Sequence, residues 1–171
     1  MKYEEDKRYY HVEYCHGKYL KLKAETVKEN QEWDNLYQYI IKLHDILLLP
    51  KGNITRLKDL RAGYETKNGK RERKWRTGPD FGLMLDAYVL AEDSIKWNLT
   101  NTLDGSNDVR AINYCISIMI GKLNEAFARR KNRIEQMKII KKTTNQDKEI
   151  ISSSINNKII KKDDMDISDF L

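Results

Sequence analysis

Apolar residues recur at helical spacing in three parts of this chain. The first stripe, in residues 30–50, predicts an amphipathic helix that Pro50 and Gly52 are expected to end. Its members are Trp33, Leu36, Tyr37, Ile40, His44, Leu47 and Leu48. The second helix is expected to start at the segment 77–80, Thr-Gly-Pro-Asp. A wide apolar face follows that start, as a core helix needs. Its members are Leu83, Ala87, Leu90 and Ser94 with Met84, Tyr88, Ala91 and Ile95.

The third stripe belongs to the longest predicted helix, over residues 108–138. Its apolar positions follow the spacing of one helical face: Ile112, Ile116, Met119, Leu123 and Phe127. After Phe127 the sequence changes to ARRKNRIEQMK, which is polar and basic. This helix is therefore expected to pack with its first half and to carry a solvated, cationic second half.

Two further segments lack this helical spacing of apolar residues. Residues 8–23 alternate large and polar side chains, a pattern that predicts a short β-hairpin. Residues 53–76 hold nine Lys or Arg against three Asp or Glu, and Asn-Gly at 68–69 predicts a turn. We interpret this second segment as a basic loop, or a short helix followed by a loop.

The C-terminal part changes in composition. Residues 141–162 are polar and rich in Ser, Asn and Lys, which predicts a flexible linker. An acidic and apolar tip follows at 163–171. The predicted organisation is a helical domain over 1–140, then the linker, then the tip. The predicted fold is mostly α: a bundle of three to four helices with a short N-terminal hairpin and a flexible tail.

Composition and charge narrow the function. The net charge of +6 and pI of about 9.1 favour a polyanionic partner. The longest apolar stretch, 112–120, is too short and polar to span a bilayer, and no secretory signal is visible, so we expect no membrane partner. Cys15 and Cys115 lie far apart in sequence, which favours a reduced, cytoplasmic setting.

Catalytic chemistry is poorly represented in the sequence. It contains no nucleophile elbow, phosphate-binding loop or dinucleotide fingerprint, so we expect neither an enzyme nor a cofactor. His11, Cys15 and His16 are candidate zinc ligands, but a structural site needs four ligands and no second pair has suitable spacing. We therefore expect no metal.

Three charged segments remain as candidate binding sites, each with a plain alternative. In the loop 67–76, Trp75 lies among the cations, which favours nucleic acid over an ordinary solvated charge run. Arg129, Arg130, Lys131 and Arg133 follow a buried stripe and could lie along a phosphate backbone. They could equally form an ordinary solvated helix end. At the tip, one helical turn would place Ile167, Phe170 and Leu171 on one side, as a plug for a hydrophobic pocket, with acidic residues steering it. The alternative is an ordinary acidic tail.

The tip resembles the peptides by which DNA-associated proteins bind sliding clamps. Those peptides have an aliphatic residue, two spacers and an aromatic–hydrophobic pair, and they often stand at the extreme C-terminus. The resemblance implies clamp contacts from Asp166, Ile167, Asp169, Phe170 and Leu171. Asp164 stands where such peptides usually have glutamine.

Residues 80–138 resemble region 2 of a bacterial-type sigma factor. There, a helix that docks on RNA polymerase precedes a loop and a second helix that ends in a cationic cluster beside promoter DNA. The resemblance implies that residues 83–97 bind RNA polymerase core through Asp86, Leu90, Asp93 and Trp97. It also implies double-stranded DNA contacts from Arg110, Lys122, Arg129, Arg130, Lys131 and Arg133.

A single sigma-like region 2 together with a clamp-binding tip is similar to the late-transcription sigma factors of T-even-type phages. This resemblance implies a non-enzymatic transcription factor in the cytoplasm of an infected bacterium, coupled to a sliding clamp. Two alternatives remain open. One is a structural virion protein, such as a head–tail connector or neck subunit, and the other is a clamp-tethered, DNA-binding replication accessory.

Overall fold

The fold is mostly helical, as predicted. The computed structural model describes residues 1–67, 70–103 and 108–160, with only the backbone described for residue 67 and for 145–160. Within these residues the elements are four helices and two short hairpins. In chain order they are β1 (Lys2–Tyr3), β2 (Tyr9–Tyr10), α1 (Cys15–His44), α2 (Lys51–Arg61), β3 (Tyr64–Lys67), β4 (Lys70–Arg73), α3 (Phe81–Asn101) and α4 (Val109–Ile160).

The N-terminal hairpin is present, but it lies earlier than the predicted range of 8–23. Strands β1 and β2 pair antiparallel, and residues 15–23 begin α1 instead of forming a second strand. Asp6 closes the turn because its carboxylate accepts hydrogen bonds from the Arg8 amide at 3.2 Å and the Tyr10 hydroxyl at 2.5 Å. Lys7 takes the left-handed conformation that this turn requires, with φ of 61°.

Helix α1 ends before the proline and glycine that were expected to stop it. Asp45 adopts a left-handed conformation and its amide donates to the Ile41 carbonyl, which closes the last turn. Leu47 and Leu48 therefore leave the predicted stripe and are 93% and 76% exposed. Pro50, instead of ending α1, precedes the first turn of α2.

Helix α3 begins where its sequence predicts. The Asp80 carboxylate caps the helix by accepting a hydrogen bond from the Leu83 amide at 2.6 Å. The predicted apolar face from Leu83 to Ile95 is buried in its main positions, while Ser94 is exposed. This face packs against α1.

All four helices contribute to one hydrophobic core. Burying a large apolar side chain stabilises a fold by about 1.5–3 kcal/mol, so these positions dominate stability. Fully buried members are Leu36 and Ile40 from α1, Leu57 from α2, Met84, Tyr88 and Ile95 from α3, and Ile112, Ile116 and Met119 from α4.

Polar side chains of α2 fix its position against α4. The buried Asn53 amide donates to the Val109 carbonyl at 3.1 Å, which satisfies a peptide group at the start of α4. The guanidinium of Arg56 donates to the Asn113 carbonyl at 2.5 Å and to the Ser117 hydroxyl at 2.9 Å. Because Arg56 is partly buried, these bonds offset the cost of removing its charge from water.

The basic segment after α2 forms a second hairpin, β3–β4. Its attachment to α2 depends on two glycines. Gly63 has a φ of +91° and its carbonyl accepts from the amides of Lys74 and Trp75 at 2.9 and 3.1 Å. Gly78 donates to the Arg61 carbonyl at 3.2 Å, and a Cβ there would clash with the Leu60 carbonyl. Backbone therefore packs directly on backbone at this junction.

The chain divides into two units, Met1–Phe127 and Ala128–Leu171. In the second unit, α4 continues past the predicted end at Lys138 as far as Ile160, so 141–160 are helical where the composition predicted a linker. The absence of Gly and Pro from the sequence after Gly121 explains this, since no residue there interrupts a helix. Residues 161–162 and the tip lie outside the described residues.

Candidate nucleic-acid interface

The residues predicted to bind polymerase share one side of α3. Asp86, Leu90, Asp93 and Trp97 are spaced by four, three and four positions, which places them along one helical face. Trp97 is 61% exposed and Asp93 is exposed, whereas Leu90 packs against the core. The face thus combines an accessible aromatic ring, an acidic group and a partly buried aliphatic side chain.

Of the cations predicted to bind DNA, two lie in the first unit and far apart. Arg110 is exposed in the first turn of α4, and Lys122 pairs with Glu125 at 3.0 Å. Twelve residues of helix separate them by about 18 Å along the axis. The structure does not bring these two side chains together.

The other four cations lie in the second unit. Arg129, Lys131 and Arg133 are exposed and Arg130 is half-exposed. Arg129 and Arg133 share a side of the helix, while Lys131 lies about 200° around the axis from Arg129. The four cations therefore surround the helix instead of forming one stripe.

The predicted clamp-binding residues cannot be placed. Asp166, Ile167, Asp169, Phe170 and Leu171 all lie outside the described residues. The clamp contact stays a prediction from sequence.

Hairpin β3–β4 brings together cations that the sequence presented only as a loop. Tyr64 pairs with Arg73 and Thr66 with Arg71, so these four side chains share one face of the ribbon. The Asn-Gly pair at 68–69 is the usual signal of a two-residue hairpin turn and could have revealed the strands. Residues 68–69 themselves lie outside the described part of the chain.

Aromatic rings and carboxylates hold the hairpin cations in place. The guanidinium carbon of Arg71 lies 3.8 Å from the Tyr64 ring centroid. A nitrogen of the same guanidinium lies 2.7 Å from a carboxylate oxygen of Asp59. The ammonium of Lys74 lies 4.7 Å from the Trp75 ring centroid and 2.6 Å from Glu65. These contacts orient positive charge at the surface before any ligand binds.

An apolar groove opens at the base of this hairpin. Its volume is about 450 Å³, within the range of small-ligand sites. Its lining residues are Trp75, Thr77, Gly78, Pro79, Leu83, Leu123, Asn124 and Phe127. The Phe127 side chain is 60% exposed, an unusual state for a large ring beside a core.

Buried titratable groups lie elsewhere, within the helical core. Burial raises the pKa of the Tyr88 hydroxyl above its usual range and raises the pKa of the Cys115 thiol to about 11. Both groups are therefore neutral at pH 7. A neutral, buried thiol is a poor nucleophile.

The candidate metal ligands are not assembled. His16 Nε2 lies 2.5 Å from a Glu4 carboxylate oxygen, and Cys15 Sγ lies 3.9 Å from His11 Nδ1. Across 1–67, 70–103 and 108–160, no group of three or more His, Cys, Asp or Glu side chains is placed to hold a metal ion. No helix in the same residues is long and apolar enough to cross a membrane.

Comparison with known proteins gives one family. The model of the family described as SPbeta prophage protein YorH matches residues 1–169. The chain belongs to this family. The match includes both hairpins and all four helices. No curated protein matches the chain, and no solved structure does.

Membership of the YorH family bears on the resemblance to phage sigma factors. The family is described by a prophage protein, which supports the predicted phage origin. The match ends two residues before Leu171, so Phe170 and Leu171 lie beyond it. A sigma-like role rests on the residues themselves and is treated below as a proposal.

Proposed function

We propose that this YorH-family protein is a non-enzymatic transcription factor of the late-sigma type. In this proposal the outer face of α3 binds RNA polymerase core, the cations of α4 contact promoter DNA, and the C-terminal tip binds a sliding clamp. The supporting observation is that Trp97 and Asp93 are both exposed, one helical turn apart on α3. Exposed tryptophans rank high among residues that dominate protein interfaces.

The α3 face supports a protein partner more than a nucleic-acid partner. It carries Asp86 and Asp93, whose negative charges oppose phosphate. Leu90 adds apolar surface between the two aspartates, and Trp97 adds apolar surface one turn after Asp93. A basic protein surface that accepts an aromatic side chain fits this composition.

The polymerase contact can be tested by pull-down on immobilised core RNA polymerase. The double variant Asp93→Ala/Trp97→Ala should lower binding at least about tenfold, as expected for an interface centred on one aromatic residue. Tyr14→Ala is the control, because Tyr14 is a 74% exposed aromatic residue directly before α1, outside the α3 face. Equal binding by both variants would remove α3 from the proposal.

The DNA contact can be tested by titrating promoter duplex at several salt concentrations. Each phosphate contact contributes about 0.9 to the slope of log affinity against log salt. Arg129→Ala/Arg133→Ala should therefore reduce the slope by about 1.8, since two contacts are lost. An unchanged slope would mean that these arginines do not touch phosphate.

The clamp contact can be tested by removing residues 167–171. The shortened chain should keep its polymerase binding and lose binding to the cognate clamp. A shortened chain that still binds the clamp would contradict the role of the tip. Assembly of the intact protein into rings on size exclusion would instead favour the structural virion alternative.

A further inference from the structure

Hairpin β3–β4 carries more positive charge than a structural hairpin needs. Residues 64–76 hold six Lys or Arg against two Glu. The two glutamates, Glu65 and Glu72, face each other across the strands, and Lys74 neutralises Glu65 at 2.6 Å. Arg71 also pairs with Asp59 of α2 at 2.7 Å. Even with this third carboxylate counted, cations outnumber carboxylates around the ribbon, which suggests an anionic ligand.

The arginines of the hairpin are preorganised for phosphate. The guanidinium carbon of Arg71 lies 3.8 Å from the Tyr64 ring centroid, and this contact together with the Asp59 ion pair limits the positions open to the guanidinium. Arg73 donates to the carbonyls of Trp75 and Arg76 at 3.5 and 3.3 Å, which fixes its position as well. A guanidinium has five N–H donors, so each arginine keeps donors for a ligand beyond the contacts described here. Fixed arginines lose less entropy when they bind phosphate.

The groove beside these cations has the composition of a base-binding site. Trp75 and Phe127 supply aromatic surface, and Asn124 is an amide that can hydrogen-bond the edge of a base. Lys74 lies over the Trp75 ring, so positive charge and aromatic surface adjoin. Such a pairing of stacking surface with cations is what proteins use to hold unpaired nucleotides.

We propose that hairpin β3–β4 and the groove at its base bind single-stranded nucleic acid. An unpaired base enters the groove beside Trp75 and Phe127, and the neighbouring phosphates lie along Lys70, Arg71 and Arg76. Duplex DNA fits poorly because its bases are stacked and cannot enter the groove. This site goes beyond the proposed function, which assigns duplex DNA to α4. Hairpin β3–β4 itself precedes residues 80–138, on which the resemblance to a sigma factor rests.

Phosphate contacts can be measured by fluorescence anisotropy with labelled oligothymidine and oligouridine of about 15 nucleotides, within the usual site sizes. The double variant Lys70→Ala/Arg76→Ala removes two exposed cations of the hairpin region. It should lower the salt slope by about 1.4, at about 0.7 per phosphate on a single strand. Lys18→Ala/Lys21→Ala is the matched control, with two exposed lysines of α1.

The two oligonucleotides separate DNA from RNA as the ligand. Preference for either polymer supports the site, and equal binding means that the 2′-hydroxyl is not read. Equal losses in the hairpin variant and the α1 control would overturn the proposal, since binding would then follow net charge alone. So would an equal loss of affinity for a duplex of the same length in the hairpin variant, since the proposed function assigns the duplex to α4.

The groove has its own variants and its own readout. Phe127→Ala should weaken binding about tenfold or more, the usual cost of losing one base-stacking ring. Because Phe127 is largely exposed, the helical content of this variant should stay unchanged in circular dichroism. A variant that keeps its helices and its full affinity would contradict base binding in the groove.

Tryptophan fluorescence locates the stacked base. Oligothymidine should quench the wild-type protein, and Trp75→Phe should abolish this quenching while keeping affinity within about threefold, because phenylalanine still offers a ring face. Trp97→Phe should retain the quenching. If Trp75→Phe is still quenched, the base lies elsewhere and the proposed groove is wrong. Pull-down of these variants on RNA polymerase tests the α3 proposal by a separate measurement. The polymerase contact and the single-strand site can therefore fail independently of each other.

Discussion

The two hairpins of this protein have the same architecture but are attached to the helices by different contacts. Both have two short antiparallel strands, and such a hairpin is not stable alone in water. In β1–β2, Tyr10 stacks on Tyr19 of α1 at 4.4 Å between ring centroids, and Glu4 contacts His16 of the same helix. In β3–β4, the attachment is mainly the close backbone approach at Gly63 and Gly78, together with the ion pair from Arg71 to Asp59 of α2.

Their charges differ as well. Residues 1–10 hold three Lys or Arg and three Asp or Glu, which balance, whereas residues 64–76 have four more cations than carboxylates. The first hairpin shows that this fold can attach a two-stranded ribbon without surplus charge. The surplus in the second is the charge on which the proposed single-stranded nucleic-acid site rests. The following experiments test how far the two hairpins differ.

The largest expected effect is at Gly78. Gly78→Ala places a Cβ against the Leu60 carbonyl, where backbone cannot move away, so unfolding free energy should fall by about 3 kcal/mol. Urea denaturation followed by circular dichroism measures the change. Gly17→Ala is the control near the first hairpin: nothing lies within 4 Å of its Cβ position, and alanine should stabilise α1 by up to about 1 kcal/mol. Similar results for both glycines would show that the junctions do not differ.

A smaller effect is expected at the side-chain junction of the first hairpin. His16→Ala removes a buried ring and its 2.5 Å contact with Glu4, leaving only Lys2 at 4.0 Å from that carboxylate, so stability should fall by about 1–2 kcal/mol. Hydrogen exchange should show faster opening of residues 2–10, with residues 64–73 unchanged. Lys23→Ala, which breaks only the exposed ion pair with Glu5, should cost less than about 0.5 kcal/mol. Faster exchange in both hairpins would contradict their independence.

Alkaline titration separates the core from the hairpins. Burial raises the pKa of Tyr88, and burial together with a hydrogen bond to Glu92 raises that of Tyr39. The unfolded chain ionises tyrosine at about pH 10, so the stability these two groups contribute is complete below pH 10 and is lost as pH rises above it. Ultraviolet spectroscopy should show two of the ten tyrosines ionising last, together with loss of helix. Ten tyrosines titrating in one step with the helices intact would contradict the burial of these two.

The smallest effect concerns the thiols and should not change stability. Cys15 is exposed in the first turn of α1, beside the first hairpin, and should react readily with a thiol reagent in the native protein. Cys115 is buried with a pKa of about 11 and should react only after unfolding. Mass spectrometry after brief alkylation counts the labelled sites. Two labels on the folded protein would mean that α4 opens readily around Cys115.

The sequence predicts the parts of this fold that depend on local spacing. The α3 start at Asp80 and the buried stripe of α4 from Ile112 to Leu123 follow from capping and periodicity. Phe127, the last predicted member of that stripe, is instead 60% exposed. The end of α1 is different, because the stripe continues through Leu47 and Leu48 although Asp45 turns the chain away. A left-handed aspartate leaves no periodic signal, so apolar spacing alone overextends the helix.

The candidate site was harder to predict than the fold. The cations of 53–76 are evident from composition, but their order in the structure comes from pairing across β3–β4 and from Tyr64, Asp59 and Trp75. The groove combines Trp75 with Phe127, which are distant in sequence. Only tertiary packing brings such residues together, so periodicity along one element could not reveal them.

The bond between Asn53 and Val109 has a consequence for synthesis on the ribosome. Asn53 is completely buried, and its amide finds its acceptor 56 residues later, at the first residue of α4. While the ribosome is still making α3, that acceptor does not exist, and burying the amide then would cost free energy. We therefore expect α2 to reach its final position only after the start of α4 has emerged. The core would then be completed late in synthesis, when α4 packs against the helices made before it.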